Sequence, residues 1–148
     1  MRLTRETEYG VKALVALARK PPGTLMQLAE IAASEDLPGG FLAKIFPKLV
    51  RAGLVQSRRG SARGYTLSRA PRAISVREIL EAVEGANLFQ RCIFWSNQCD
   101  ETHRCLLHHQ WREIRPRVRA ALGRLTLREL AAPRGLEGGR RKPAGAVS

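Results

Sequence analysis

The feature that most constrains this chain is a change of apolar period at Gly53. Before it, apolar residues recur three times at helical spacing, each run bounded by breakers. Val11, Leu14, Val15 and Ala18 form the first run, behind Thr4 as N-cap, with Glu6 and Glu8 in the favourable first turn and Pro21-Pro22-Gly23 at its end. Thr24 followed by Gln27 predicts a capping box opening a short second helix, with Leu28, Ile31 and Ala32 inward and a turn at Ser34-Glu35-Asp36. Pro38 suits the start of a third helix, whose stripe is Leu42, Ile45, Phe46, Leu49 and Val50, with Gly53 just past its end. After Gly53 the pattern shortens. Residues 54–57 and 64–67 predict two strands around a turn of small and basic residues at 58–63. Ser75 and Glu78 predict a second capping box, opening a helix with Ile79, Leu80 and Val83 that stops at Gly85. Helix, helix, helix, hairpin, helix over residues 1–85 is the pattern of a winged helix-turn-helix. The expected fold class is therefore mainly α with a small β-hairpin wing, plus a long dimerisation helix.

The rest of the chain divides by composition. Residues 86–104 have little periodicity and hold Cys92 and Cys99. Residues 105–132 predict a long helix and a short last one capped by Thr126. Leu107, Trp111, Ile114, Val118, Ala121 and Leu125 recur at alternating steps of four and three, a heptad seam. Pro116 interrupts it, and because the seam keeps its register a kink near Arg112 is expected rather than two helices. The seam suits an intramolecular core or a contact with a second copy. So small a first module leaves the long helix little else to pack on, so these six residues are assigned to dimerisation. Residues 133–148 are rich in Pro, Gly and basic residues and read as a disordered tail.

Charge locates a partner. The 148 residues carry 26 Lys and Arg against 13 Asp and Glu, a net +13. Not one acid falls between Asp36 and Glu78, where even spreading would place about 3.6. That block coincides with the third helix and the wing. In a winged helix-turn-helix these elements meet the major groove and the backbone or minor groove of double-stranded DNA. Gly39 and Gly40 let the helix start approach phosphate, and Lys44 is placed for a base-edge contact. Lys48, Arg51, Arg58 and Arg63 suit phosphates, and Arg59 suits the minor groove. No apolar run reaches the roughly 18 residues of a membrane span, and the start lacks the apolar stretch of a secretory signal, so a cytoplasmic protein without a membrane partner is expected. No phosphate-binding glycine loop, carboxylate pair or nucleophile–base set is present, which argues against an enzyme and a small-molecule substrate.

Cys92, Cys99 and Cys105 read C-x6-C-x5-C, with His108 three residues beyond the last. Soft thiolates suit an iron–sulfur cluster, zinc or copper(I), and a redox-active thiol set fits as well. The C-x2-C knuckles typical of structural zinc are absent. Polar flanks, Ser96-Asn97-Gln98 and Asp100-Glu101-Thr102, argue against three ordinary core cysteines.

With these cysteines the chain resembles the Rrf-type (IscR/NsrR-like) iron–sulfur winged-helix regulators. The resemblance lies in MRLTRETEYGVKAL, in LPGGFLAKIFPKLVRAGLVQSRRGSARGYTLSRAP, in ISVREILEAVEG, in the three cysteines, in LHHQW and in GRLTLREL, and it extends to about Ala132. It implies a homodimer that binds an imperfect palindrome, usually as a repressor, with DNA affinity gated by a cluster that senses nitric oxide, redox or iron status. Cys92, Cys99 and Cys105 match the family's cluster ligands. The fourth ligand falls either to His108, which favours a 2Fe-2S cluster, or to Glu8 reaching across from the first helix of the other copy, which also permits 4Fe-4S. Arg59 corresponds to a wing arginine used against DNA. Ala43 replaces an acidic residue that shapes site choice, so the target sequence is not carried over.

Overall fold

The structure is a computed structural model that describes residues 1–93, 101–102 and 104–133. Cys99 and nearly all of the expected tail lie outside the described residues. Helix α1 (Arg5–Ala18) is the centre of the fold, because Ala13, Leu14, Val15, Ala16 and Leu17 are all buried. Two apolar stripes on one helix give it neighbours on both sides, and four of the five helices described next pack closely against it.

Helix α2 (Leu28–Glu35) opens later than expected. Its N-cap is Gln27, whose backbone N–H donates to Glu30 in a reciprocal box, while the Thr24 hydroxyl donates to the Pro21 carbonyl at 2.7 Å and closes the preceding turn. The helix also runs through Ser34 and Glu35 and ends on Asp36 in the left-handed region at φ 52°. Helix α3 (Gly39–Arg51) buries Leu42, Ile45, Phe46 and Leu49. Val50, expected in that stripe, is exposed instead, since it lies one step round the helix from Leu49.

Strands β1 (Val55–Arg58) and β2 (Gly64–Leu67) pair antiparallel, Val55 with Leu67 and Arg58 with Gly64. The first strand begins one residue later than expected, because the Leu54 N–H donates back to Leu49 at the end of α3. The wing is tied to the body by reciprocal bonds between Met26 and Tyr65 at 3.0 and 2.8 Å. This close approach requires Gly64: a Cβ there would lie 2.8 Å from the Met26 carbonyl oxygen, and its φ is +148°.

Helix α4 (Val76–Glu84) starts on the predicted Ser75–Glu78 box and stops at Gly85. The long helix α5 (His108–Arg124) is continuous through Pro116, and α6 (Leu127–Ala131) is capped by Thr126 with Glu129. Two backbone bonds, Val76 to Leu125 and Leu127 to Ile74, fasten α6 beside the start of α4. A second apolar cluster of Val76, Leu80, Leu88 and Phe89 receives Val118 and Leu122 from α5 and Leu125 just past its end.

The heptad seam is thereby split. Trp111 is buried and Val118 and Leu125 are half-buried, all turned toward their own chain. Leu107, Ile114 and Ala121, the alternate members, are exposed, Ile114 at 48%. The seam thus has one edge in the core of its own chain and the other facing outward.

Candidate nucleic-acid interface and cysteine neck

The basic block is displayed on two elements, α3 and the wing. Gly39, Gly40, Lys44 and Arg51 are exposed along α3, and Arg58, Arg59 and Arg63 are exposed on the wing. Phe41 packs edge-on to Tyr9 at 5.2 Å and Phe46 against Tyr65 at 4.6 Å, so α3 and the wing are braced from behind by aromatic contacts. Between the start of α2 and the wing lies a cleft of about 390 Å³, lined by Gln27, Leu28, Arg58, Arg59 and Arg63 among others. Three guanidinium groups at the mouth of one cleft, beside the donor end of a helix, suit a phosphate backbone.

Lys48 is placed differently from its neighbours. Its ammonium donates to Glu6 of α1 at 2.8 Å and to the Val83 carbonyl of α4 at 3.3 Å. It clamps α3 to α1 and α4. Glu6 carried no signal of this in the sequence beyond its favourable place in a first turn.

The second site is a neck where the chain enters and leaves the cysteine segment. The sulfurs of Cys92 and Cys105 are 3.6 Å apart. Cys92 is only 4% exposed, while Cys105 is half-buried. Both backbones are held. The Arg91 carbonyl accepts from the Trp111 indole N–H of α5 at 3.3 Å, and the Cys105 carbonyl accepts from the His108 N–H at 3.1 Å. The Arg91 guanidinium donates to the Glu84 carbonyl at 2.6 Å and to Asn87 Oδ1 at 2.7 Å. Glu84 in turn accepts from the Thr4 N–H at 2.8 Å, the Thr4 hydroxyl at 2.6 Å and the Thr7 hydroxyl, which fastens the start of α1. Burial pushes the Glu84 carboxyl up, but these donors and the nearby Arg91 charge outweigh it and hold it below the usual range. Arg91 and Glu84 carried no periodic or motif signal, so sequence reasoning missed both.

His108, predicted as a ligand, is 3% exposed, with Nε2 3.6 Å from Glu101 Oε1. Glu101 also meets Arg104, and Arg112 at 2.5 Å; hydrogen bonding from Arg104 is the main cause that holds its carboxyl down. Glu8 stands on α1 in an ion pair with Lys12 at 2.6 Å, and the Lys12 hydrogen bond lowers its pKa. Among the described residues no three His, Cys, Asp or Glu side chains converge closely enough to hold a metal ion. Also among the described residues, no helix is long and apolar enough to cross a membrane.

Comparison with known proteins places this architecture. The Rrf2 family, described as iron-dependent transcriptional regulators, matches residues 3–133. The chain belongs to the Rrf2 family. Within it, the chain is 34% identical over 130 residues to the HTH-type transcriptional regulator IscR of Xenorhabdus nematophila, covering 88% of this chain and 79% of that one. Its structure is similar to CymR, the global cysteine regulator of B. subtilis, with a TM-score of 0.72, 28% identity, and coverage of 88% and 96% of the two chains. It shares its fold with IscR of T. potens, with a TM-score of 0.70, 24% identity, and coverage of 97% and 94%. The chain is thus an IscR-like Rrf2 transcriptional regulator with a winged helix, and not an enzyme.

Proposed function

We propose that this regulator is a DNA-binding repressor, acting as a homodimer on an imperfect palindrome, whose affinity is gated by an iron–sulfur cluster at the cysteine neck. The observation that carries the reading is the pairing of the Cys92 and Cys105 sulfurs at 3.6 Å beside buried His108. Two thiolates on one tetrahedral metal at about 2.3 Å stand about 3.8 Å apart, so the pair fits a thiolate-bound metal with little movement. Cys92, Cys99, Cys105 and His108 would hold a 2Fe-2S cluster; Glu8 of the other copy is the competing fourth ligand and would permit 4Fe-4S. When bound, the cluster supplies an iron centre reactive toward nitric oxide and oxidants.

The chain's own residues supply the rest. Gly39 and Gly40 open α3 to a phosphate, Lys44 approaches base edges, and Arg51, Arg58, Arg59 and Arg63 neutralise the backbone. Lys48 holds α3 in place rather than meeting DNA. The exposed edge of α5, Leu107, Ile114 and Ala121, would meet the same edge of a second copy, setting two α3 helices about 34 Å apart for successive half-sites. Arg91 ties the neck to α5, to α4 and through Glu84 to α1, so a change at the cysteines is delivered to the body that carries α3.

The test is anaerobic purification followed by absorbance, iron and sulfide assays, then DNA binding with and without the cluster. A coloured protein with iron and sulfide in equal amounts, and a different affinity once they are removed, is the expected result. Colourless, iron-free protein after anaerobic reconstitution would overturn the cluster, and equal affinities would overturn the gating.

A further inference from the structure

The neck holds two thiols in an arrangement that serves more than metal ligation. Cys92 and Cys105 have their sulfurs 3.6 Å apart, and a disulfide bond of about 2.05 Å needs them only about 1.5 Å closer. The flanking backbone is pinned on both sides, at Arg91 by Trp111 and at Cys105 by His108, so the pair is held together rather than left to find each other by loop diffusion. The two thiols are also unequal: Cys92 is buried and Cys105 is partly open to solvent.

We propose that Cys92 and Cys105 form a reversible intramolecular disulfide when no metal occupies the neck, with a small aliphatic disulfide of the glutathione type as oxidant. The Cys105 thiolate attacks one sulfur of the small disulfide, forming a mixed disulfide and expelling one small thiolate, which takes up the proton Cys105 gave up. The Cys92 thiolate then attacks the Cys105 sulfur, forms the protein disulfide and expels the second small thiolate, which is likewise protonated. Two protein thiols are oxidised and one small disulfide is reduced to two thiols. Cys105 is the entry thiol because it is the accessible one, and Cys92 resolves it. The consequence for regulation rests on the proposed cluster reading: the disulfide removes two ligands together, so oxidised protein cannot be reloaded until it is reduced.

The experiment treats metal-free, full-length protein with glutathione disulfide under anaerobic conditions, followed by intact-mass and peptide mapping without reductant. The expected product has lost two hydrogens and contains a Cys92–Cys105 cross-link, in the natural chain and in Cys99→Ser alike. Cys92→Ser is expected to accumulate the glutathione adduct on Cys105, which the natural chain does not retain. Alkylation is expected to be about tenfold faster at Cys105 than at Cys92. A dominant cross-link through Cys99, or no cross-link in Cys99→Ser, would overturn the proposal. Iron uptake then separates the two readings. Uptake that is lost on oxidation and restored by reductant supports the regulatory consequence, and equal uptake by both forms overturns it. A cross-link that forms in a protein that takes up no iron in either state leaves the thiol pair standing and fails the cluster reading alone.

Discussion

Lys48 provides a sharp test, because its sequence and its structure point to different jobs. It sits in an acid-free basic block, where a phosphate contact is the natural expectation. In the fold its ammonium is 2.8 Å from Glu6 and 3.3 Å from the Val83 carbonyl, with the two side chains 33% and 31% exposed. A charge-assisted hydrogen bond in a protected site contributes about 1.5–3 kcal/mol, and a fully exposed pair about 0.2–1 kcal/mol. One-third exposure screens the interaction part-way, so a coupling of about 1 kcal/mol is expected between Lys48 and Glu6. The perturbation is a double-mutant cycle of Lys48→Met, which keeps the aliphatic stem, with Glu6→Gln. Urea denaturation should show each single variant losing about 1 kcal/mol, a midpoint shift of roughly half a molar, and the double variant losing little more. Fluorescence anisotropy with an operator duplex then supplies the second axis. A phosphate contact contributes about 0.9 to the slope of log affinity against log salt, so a clamp lysine leaves the Lys48→Met slope unchanged. A coupling below about 0.3 kcal/mol together with a slope shallower by about 0.9 per protomer would refute the clamp and restore Lys48 to the DNA interface.

The remaining expectations are more direct. Gly64→Ala should cost about 2–3 kcal/mol in thermal melts, because the new methyl meets the Met26 carbonyl at a φ of +148°, and it should loosen the wing. Arg59→Ala and Arg63→Ala should each weaken DNA binding and flatten the salt slope by about 0.9 per protomer, measured by anisotropy titrations over a salt series. Glu84→Gln should lose stability at neutral pH. The Glu84 carboxyl is held below its ordinary value, so its contribution is complete above an unfolded pKa of about 4.3 and disappears as pH falls through the folded value. Denaturant melts of the two proteins should therefore converge in strong acid. Ile114→Asp, at an exposed apolar position of α5, should leave the melting of a single chain nearly unchanged while weakening self-association, read by sedimentation across a concentration series.

How much of this was legible follows from which interactions are local. The capping box at Ser75 and the cap at Thr126 depend on residues three apart, and the stop at Gly85 on one glycine, so the chain declares them directly. The α2 start was misplaced because Thr24 and Gln27 are each able to cap. Only the Pro21 turn, which engages the Thr24 hydroxyl, decides between them. The basic surface was legible as a block, since charge accumulates without reference to folding, but the pairing of Lys48 with Glu6 was not. It depends on Glu6, 42 positions earlier, brought close by α1 packing on α3. The heptad seam was legible as a pattern, yet its division between core and surface was not, because periodicity reports a stripe and not what lies against it.

The least legible element joins the two sites. Arg91 lies in a segment without periodicity, and nothing in its neighbours marks it. Its position gives it three roles at once: its carbonyl receives Trp111, its guanidinium holds the C-terminal end of α4 through the Glu84 carbonyl, and its backbone leads directly into Cys92. Glu84 uses its carboxylate on Thr4 and Thr7, and the same first turn of α1 carries Glu6, which holds Lys48 on α3. The links through Thr7, Lys48, Trp111 and the Glu84 carbonyl are polar contacts between partly sheltered groups, where a displaced partner leaves a donor or acceptor unmet. The cysteine neck and α3 are therefore joined by specific bonds as well as by the apolar core that α1, α3 and α4 share. In the proposed switch, movement at Cys92 has few ways to be absorbed locally. Its immediate neighbour is fixed to α4 and α5, and α4 is fixed to the start of α1. A ligand at the neck that favours one position of Arg91 would thereby favour one position of α1 beneath α3, which is the differential interaction that a change in DNA affinity requires.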